Sequence, residues 1–317
     1  MRKLCWGLPI SDVLSLIGNT PLIEITHLDR GPCRLFVKLE SKNPSGSIKD
    51  RIALGMIEAA ERDGKLKPGG TLVEATAGNT GAALALIGAL RGYKVKLVVL
   101  DKMAKATINQ CKALGAEVQL AKSALTNEDP GYYQNIAKRI AAETGAFYVN
   151  QFDNPANPAA HENTTGPEIW QQMEKNVDAV VCGVGSSGTI TGLGRYFKQH
   201  SPKTEMVLAD PVGSILAPLV NTGKKVTPGS WQVVGIGEDF IPPNLDLSLV
   251  KKAYSIPDEE SFQTSRDLLQ REGISAGLSS GTLVASALRY CREQSAPKRV
   301  VTFICDDGAK YLEKLFG

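Results

Sequence analysis

The chain has 317 residues, 43% of them hydrophobic, and its 36 Lys and Arg stand against 33 Asp and Glu for a net charge of +3. That length suits one large domain or two closely packed ones with a substantial core. So balanced a charge gives no reason to expect a nucleic-acid or membrane partner, and points to a small molecule instead.

The first residues, "MRKLCWGLPISD", contain no apolar signal core and no A-x-A-like site. No run approaches the roughly 20 apolar residues that a membrane-spanning helix needs. The six cysteines are Cys5, Cys33, Cys111, Cys182, Cys291 and Cys305, with no C-x-x-C pair among them. Cys182 and Cys305 end apolar runs that read as buried strands, a usage that fits a reduced cytoplasm better than a disulfide framework.

Short β-branched runs alternate with helical patterns along the chain. "RLFVKLE" (34–40) reads as a strand. In the helix expected over 47–64, Ile48, Ile52, Met56 and Ala60 recur at helical spacing and Gly64 is the stop. "TLVEA" (strand), "NTGAALALIGALRG" (helix), "KVKLVVL" (strand), "KATINQCKALG" (helix) and "AEVQLA" (strand) follow. After "FYVN", the stretch 151–168, rich in Asn, Pro and Thr, is the expected crossing between two halves. The pattern resumes with the strand "VDAVVC", a helix from Thr189, the strand "EMVLAD", a helix near 258–273 and the strand "RVVTFIC". Strands apolar on both faces and separated by helices call for parallel sheets covered on both sides, so the expected fold class is α/β.

Three small-residue loops sit between a strand and a helix, where open α/β sheets bind ligands: "NPSGSIK" (43–49), "TAGNTG" (76–81) and "GVGSSGTITG" (183–192). A fourth, "GLSSGT" (277–282), precedes another helix, for which capping by serine is the plain alternative. Residues 183–188 match G-x-G-x-x-G, and Asp210 ends the next strand 22 residues after Gly188. A dinucleotide site and a simple tight turn both fit that segment. So does a cradle for a single phosphate, because Gly185, Ser186, Ser187, Gly188 and Thr189 offer backbone N–H groups and hydroxyls at a helix N-terminus, with no Lys or Arg. The Walker pattern is absent, which removes the main support for an ATPase.

Lys49 stands at the start of a helix, where a lysine is ordinarily a solvated charge. Taken with a phosphate cradle and further small-residue loops, it suggests imine chemistry with pyridoxal phosphate, since a desolvated ε-amine deprotonates readily. The motifs "IGNTPL", "NPSGSIKDR", "GNTG", "GSSGTITG", "QFDNPANPAAHENTTGPEI" and "GIGEDFIP" resemble those of the cysteine synthase and cystathionine β-synthase family of fold-type II pyridoxal phosphate enzymes. The likeness runs from 17–22 to 306–316 and is strongest towards the cystathionine β-synthase branch. It sets aside the dinucleotide reading.

The resemblance implies two parallel-sheet α/β subdomains, similar to a tryptophan synthase β subunit, with the cofactor between them. Residues 43–150 would form the smaller one with the substrate loop, and 1–42 plus 151–317 the larger one with the phosphate loop. It implies that Lys49 forms the imine and then serves as base, that Asn79 contacts the phenolic oxygen, and that Gly185, Ser186, Ser187, Gly188 and Thr189 hold the phosphate. Ser279 would face the pyridine nitrogen; a neutral hydroxyl there leaves that nitrogen largely unprotonated. Thr76, Ala77, Gly78, Asn79, Thr80 and Gln151 would bind the substrate carboxylate. Gly235 and Glu238, with Asp239, would line the nucleophile's side, although as loop carboxylates these acids could equally be solvated.

The implied reaction is β-replacement on L-serine or O-acetyl-L-serine by a thiol, homocysteine first and sulfide as the alternative; a binding role on the same fold is a third reading. Departures from the family pattern are Ala77 in place of a serine and Ser187 in place of a glycine. The expected chain is a cytoplasmic homodimer without catalytic metal, haem or regulatory module, and one that could bind a serine acetyltransferase C-terminal peptide. His27, His161 and His200 show no metal spacing.

Overall fold

The computed structural model describes residues 12–76, 78–101, 105–122, 125 and 128–317. In chain order it runs β1 (Leu22–Glu24), β2 (Arg34–Leu39), α1 (Lys49–Arg62), β3 (Thr71–Thr76), α2 (Asn79–Arg91), β4 (Lys94–Leu100), α3 (Lys105–Ala113) and β5 (Glu117–Ala121). Then come α4 (Tyr133–Thr144), β6 (Phe147–Tyr148), α5 (Ala156–Ala160), a π-helical turn (His161–Thr165), α6 (Gly166–Gln172), β7 (Ala179–Gly183) and α7 (Gly188–His200). The remainder is β8 (Glu205–Pro211), α8 (Leu216–Thr222), β9 (Lys252–Ile256), α9 (Asp258–Glu272), α10 (Leu278–Arg292), β10 (Arg299–Ile304) and α11 (Leu312–Phe316).

Two sheets form, one per subdomain. The six-stranded sheet has the order β1-β2-β10-β7-β8-β9, and the four-stranded sheet has the order β5-β4-β3-β6. Every pairing between these strands is parallel except that of β1 with β2. The central strands are apolar on both faces because both faces are covered: Val180, Val181, Leu208 and Phe303 are buried against helices that include Phe197, Leu283 and Val284. The second core joins Ile52, Met56 and Ile57 of α1 to Leu72, Leu84, Ile87 and Leu97.

Two expected features differ. The crossing at 151–168 is largely helical, since α5, the π turn and α6 follow one another from Ala156 to Gln172. The short strands β1 and β9 also join the sheet, where their few residues show little apolar alternation. All five cysteines among the described residues, from Cys33 to Cys305, are unpaired, and no described helix is long and apolar enough to cross a membrane.

A buried ionic network fixes the start of α1. Arg51 reaches Glu40 at 2.7 Å and Glu168 at 2.7 Å, and Lys38 reaches Glu168 at 2.9 Å. Asp50 accepts from the backbone N–H of Ser45 at 2.7 Å and also from its hydroxyl. Removing one member of such a network leaves a buried charge without compensation, at a cost of about 3–5 kcal/mol. Lys49 therefore stands on a rigid base: the residue after it and the next one are both tied down.

Candidate active site

The loops that follow β3, β7 and β10 lie at the carboxyl ends of interior strands, where ligands of parallel sheets sit. Those after β3 and β7 open helices whose N-termini no side chain caps, α2 behind Gly78 and α7 behind Ser187; α10, also uncapped, starts behind Gly277, whose N–H is bonded to the Asp306 carbonyl in the loop after β10. These helices have 13, 13 and 15 residues. Their first N–H groups lack intrahelical partners and carry the positive end of the dipole. Such a site is suited to two anionic groups.

The phosphate-loop candidates lie together at the start of α7. Ser187 adopts φ +63° and spends its hydroxyl on the Ser186 carbonyl at 2.6 Å, so it leaves the amides of α7 free of a side-chain cap. Gly185 must be glycine because a Cβ there would stand 2.6 Å from the Gly235 carbonyl oxygen. Thr189 shares a hydrogen bond with buried His161 at 3.2 Å, and His161 shares one with Thr165 at 2.9 Å. Burial first, then the cations Arg51 and Lys49, hold the His161 imidazole well below its ordinary pKa, so it is neutral. With no base in the loop and an uncapped helix behind it, these residues fit a phosphate monoester held by N–H and O–H donors.

The substrate-loop candidates gather on α2. Thr76 accepts the Gly78 N–H at 3.1 Å. Thr80 donates to Gln151 Oε1 at 2.7 Å, so the Gln151 amide keeps its donors at Nε2, on the side where Glu74 also lies. Ala77 lies outside the described residues. Asn79 donates from Nδ2 to Asp306 at 2.9 Å and accepts from Lys310 Nζ at 2.8 Å.

Lys49 is the first residue of α1 and is half-buried. Burial pushes its ammonium below the ordinary lysine pKa, against the opposing pull of the Asp306 carboxylate. Ser279 is buried in the first turn of α10, one residue from Ser280, whose hydroxyl accepts the Cys305 N–H at 2.9 Å. The Cys305 carbonyl accepts the Ile48 N–H at 2.8 Å. One short backbone segment thus joins the helix start bearing Lys49 to the helix start bearing Ser279. Burial raises the Cys305 thiol to about 12, so this sulfur stays protonated.

Gly235 precedes the turn in which Gly237 donates its N–H to the Val184 carbonyl at 2.8 Å, which seats the 235–239 loop against the phosphate loop. Glu238 is half-buried and Asp239 exposed. Burial, then Asp239 and Asp210, push the Glu238 carboxyl well above its ordinary pKa. Burial, and behind it the fields of Asp239 and Glu238, raise the pKa of Tyr132, which belongs to the four-stranded subdomain. Asp210 is buried in β8 with Oδ2 accepting the Ala217 N–H at 2.8 Å. It caps α8, and it does not reach out towards a ribose.

As site residues Asn157, Cys305, Asp306 and Lys310 do not stand out in the sequence, where Cys305 reads only as the end of a buried strand. The last three follow the apolar run of β10, and the carboxyl end of a buried parallel strand was itself a signal for them.

Residues 13–306 match the family model described as "Pyridoxal-phosphate dependent enzyme". Cysteine synthase A of Escherichia coli (strain K12) is 42% identical over 300 residues, which cover 93% of this chain and 92% of that enzyme. The cystathionine beta-synthase of Apis mellifera is 39% identical over 307 residues, 96% of this chain but 60% of that longer protein. Among solved structures, a hydrogen sulfide-producing enzyme from Fusobacterium nucleatum superposes with a TM-score of 0.89 at 35% identity, covering 96% of this chain and 100% of the other.

Proposed function

The chain belongs to the pyridoxal-phosphate dependent enzyme family, and from that premise we propose that this β-synthase joins L-serine or O-acetyl-L-serine to a thiol, with homocysteine as the incoming nucleophile. The observation that supports the reading is a chain of contacts: Asn79 at the start of α2 bonds Asp306, whose neighbour Cys305 bonds the backbone beside Lys49, Asn157 ties Ser186 before α7 to Gln151, and Glu238 Oε1 lies 3.9 Å from where a Cβ on Gly185 would stand.

Bound pyridoxal phosphate supplies an aldehyde that condenses with amines and a ring that draws electrons from the substrate's Cα. Lys49 would hold it at the aldehyde, the amides of 185–189 at the phosphate, Asn79 at the phenolic oxygen, and Ser279 at the ring nitrogen. The Ser279 hydroxyl is neutral and buried, so it imposes no charge on that nitrogen.

The chain's own groups then divide the work. The donor's carboxylate is bound by the amides at the start of α2 and by a Gln151 Nε2 hydrogen, the amide being turned by its bond from Thr80. Lys49, shifted by burial towards its neutral amine, takes the Cα proton at Nζ and later returns it. Its ordered helix start keeps the amine within reach through both transfers. Glu238 binds the ammonium of an amino-acid thiol, which restores its carboxylate charge; sulfide would have no use for this group.

A second reading, O-acetylserine plus sulfide to cysteine, draws support from the nearly full-length match to the Escherichia coli cysteine synthase A. The experiment crosses serine and O-acetylserine with homocysteine and sulfide and identifies products by mass. Cystathionine is expected, and cysteine without cystathionine would replace the first reading by the second. If no pair reacts and borohydride reduction leaves Lys49 unlabelled, both readings fall.

A further inference from the structure

Asn79 stands between a buried anion and a cation. Its Nδ2 donates to Asp306 Oδ2 at 2.9 Å, and its Oδ1 accepts from Lys310 Nζ at 2.8 Å. Asp306 comes from 227 residues away in sequence and is itself held firmly. Tyr311 donates its hydroxyl to the same Oδ2 at 2.8 Å, and the Asp306 carbonyl accepts the Gly277 N–H at 3.1 Å. Its Oδ1 is buried without a partner and packs against Gly277, where a Cβ would overlap it. Lys310 is half-buried, and its Nζ lies 3.9 Å from where a Cβ on Gly46 would stand, in the loop leading to Lys49.

An amide flanked in this way has one stable orientation. Turning it over would set its NH2 against an ammonium and its C=O against a carboxylate, replacing two charge-assisted hydrogen bonds by two repulsions. Nδ2 carries two hydrogens and Asp306 takes one. What Asn79 can offer the cleft through Nδ2 is therefore a donor.

Resting on the reading that Asn79 meets the cofactor's phenolic oxygen, we propose that Asp306 and Lys310 are positioning residues that lock the Asn79 amide with N–H towards the cofactor, so that the site selects the deprotonated phenolate over the neutral phenol. A fixed N–H stabilises an acceptor with negative charge more than it does a hydroxyl that must keep its own proton. Neither Asp306 nor Lys310 needs to touch the cofactor to have this effect.

The test uses the full-length holoenzyme and the variants Lys310→Met, Lys310→Arg and Asp306→Asn at one fixed pH. The readouts are the ratio of the visible phenolate band to the near-ultraviolet phenol band of bound pyridoxal phosphate, and the cofactor's dissociation constant. Thermal unfolding serves as the control for folding, and borohydride labelling shows whether Lys49 still carries the cofactor. Lys310→Met is expected to move the ratio towards the phenol band and to weaken the cofactor about tenfold, the size of one lost charge-assisted hydrogen bond. Lys310→Arg, which still donates, restores both, and Asp306→Asn shifts the ratio in the same direction as Lys310→Met. A Lys310→Met protein that keeps the parent's band ratio and affinity while Lys49 is still labelled overturns the proposal and leaves the β-replacement reading standing. A parent that carries no label on Lys49 overturns both.

Discussion

Asn157 lies between Gln151 and Ser186, with its Nδ2 donating to the Gln151 carbonyl at 2.7 Å and to Ser186 Oγ at 3.0 Å. Gln151 is a candidate for the donor's carboxylate and Ser186 for the cofactor's phosphate, so one buried amide joins the two anion sites. Asn157→Asp would turn both of these donors into oxygens facing oxygens. The expected outcome is a rise in the donor KM together with a cofactor dissociation constant about tenfold higher. Titrating cofactor into the apo variant and measuring initial rates checks it. A change in one constant alone would mean that the two sites are not joined through this residue.

Gly188 of the phosphate loop and Gly235 of the loop seated against it give a paired test of why glycine stands at each position. A Cβ on Gly188 would overlap Asn157 Oδ1, whereas a Cβ on Gly235 meets nothing within 4 Å and only the backbone, at φ +89°, objects. Gly188→Ala is expected to lose stability by about 1–3 kcal/mol from overpacking and to lose cofactor affinity as Asn157 is displaced. Gly235→Ala should cost about 1–2 kcal/mol through backbone strain and leave the cofactor bound. Calorimetry with and without added pyridoxal phosphate separates the two.

Glu74 is buried in β3 with Oε2 unpartnered, and burial raises its carboxyl to about 8. Its folded pKa lies above the unfolded value of 4.5, so the folded state holds the extra proton between those limits. Unfolding releases that proton, and the stability from this group, complete below pH 4.5, is lost as pH rises towards 8. Glu74→Gln should flatten this slope and raise the Tm at pH 8 and above, by about 2–4 °C for each kcal/mol recovered. An unchanged Tm–pH curve would show that Glu74 is ionised in the folded protein.

Most of the sheet was legible in the sequence because its strands announce themselves: "VVC" and "VVTFI" are apolar on both faces only where helices cover both faces. The strand β9 was not, since "KAYSI" mixes polar residues and leads into Pro257. The helical run after Ala156 was hidden by Pro155, Pro158 and Pro167, which read as breakers although helices tolerate proline in the first turn. Lys49 and the glycine loops could be found because their chemistry is local. The partners that orient them could not: Asp306 meets Asn79, and Asn157 meets Ser186, across 227 and 29 residues of chain. The first distance closes where the two subdomains meet and the second where α5 packs against α7, facts of topology rather than of any short pattern.

In the proposed reaction, Glu238 is the residue that would discriminate between the two nucleophiles. Its carboxyl is half-buried, pushed up by burial and by the neighbouring acids Asp239 and Asp210, and beside the phosphate loop. An uncompensated acid in that position takes up a proton, whereas one paired with an ammonium keeps its charge. Homocysteine carries such an ammonium and sulfide does not. Glu238→Gln should therefore raise the KM for homocysteine about tenfold, the effect of a hydrogen bond to a charged group, with the donor KM and any rate with sulfide nearly unchanged. Steady-state kinetics with each nucleophile at saturating donor gives the comparison. Equal losses with homocysteine and sulfide would assign Glu238 to the donor side or to the loop's own structure, and would take away the main physical reason for preferring an amino-acid thiol.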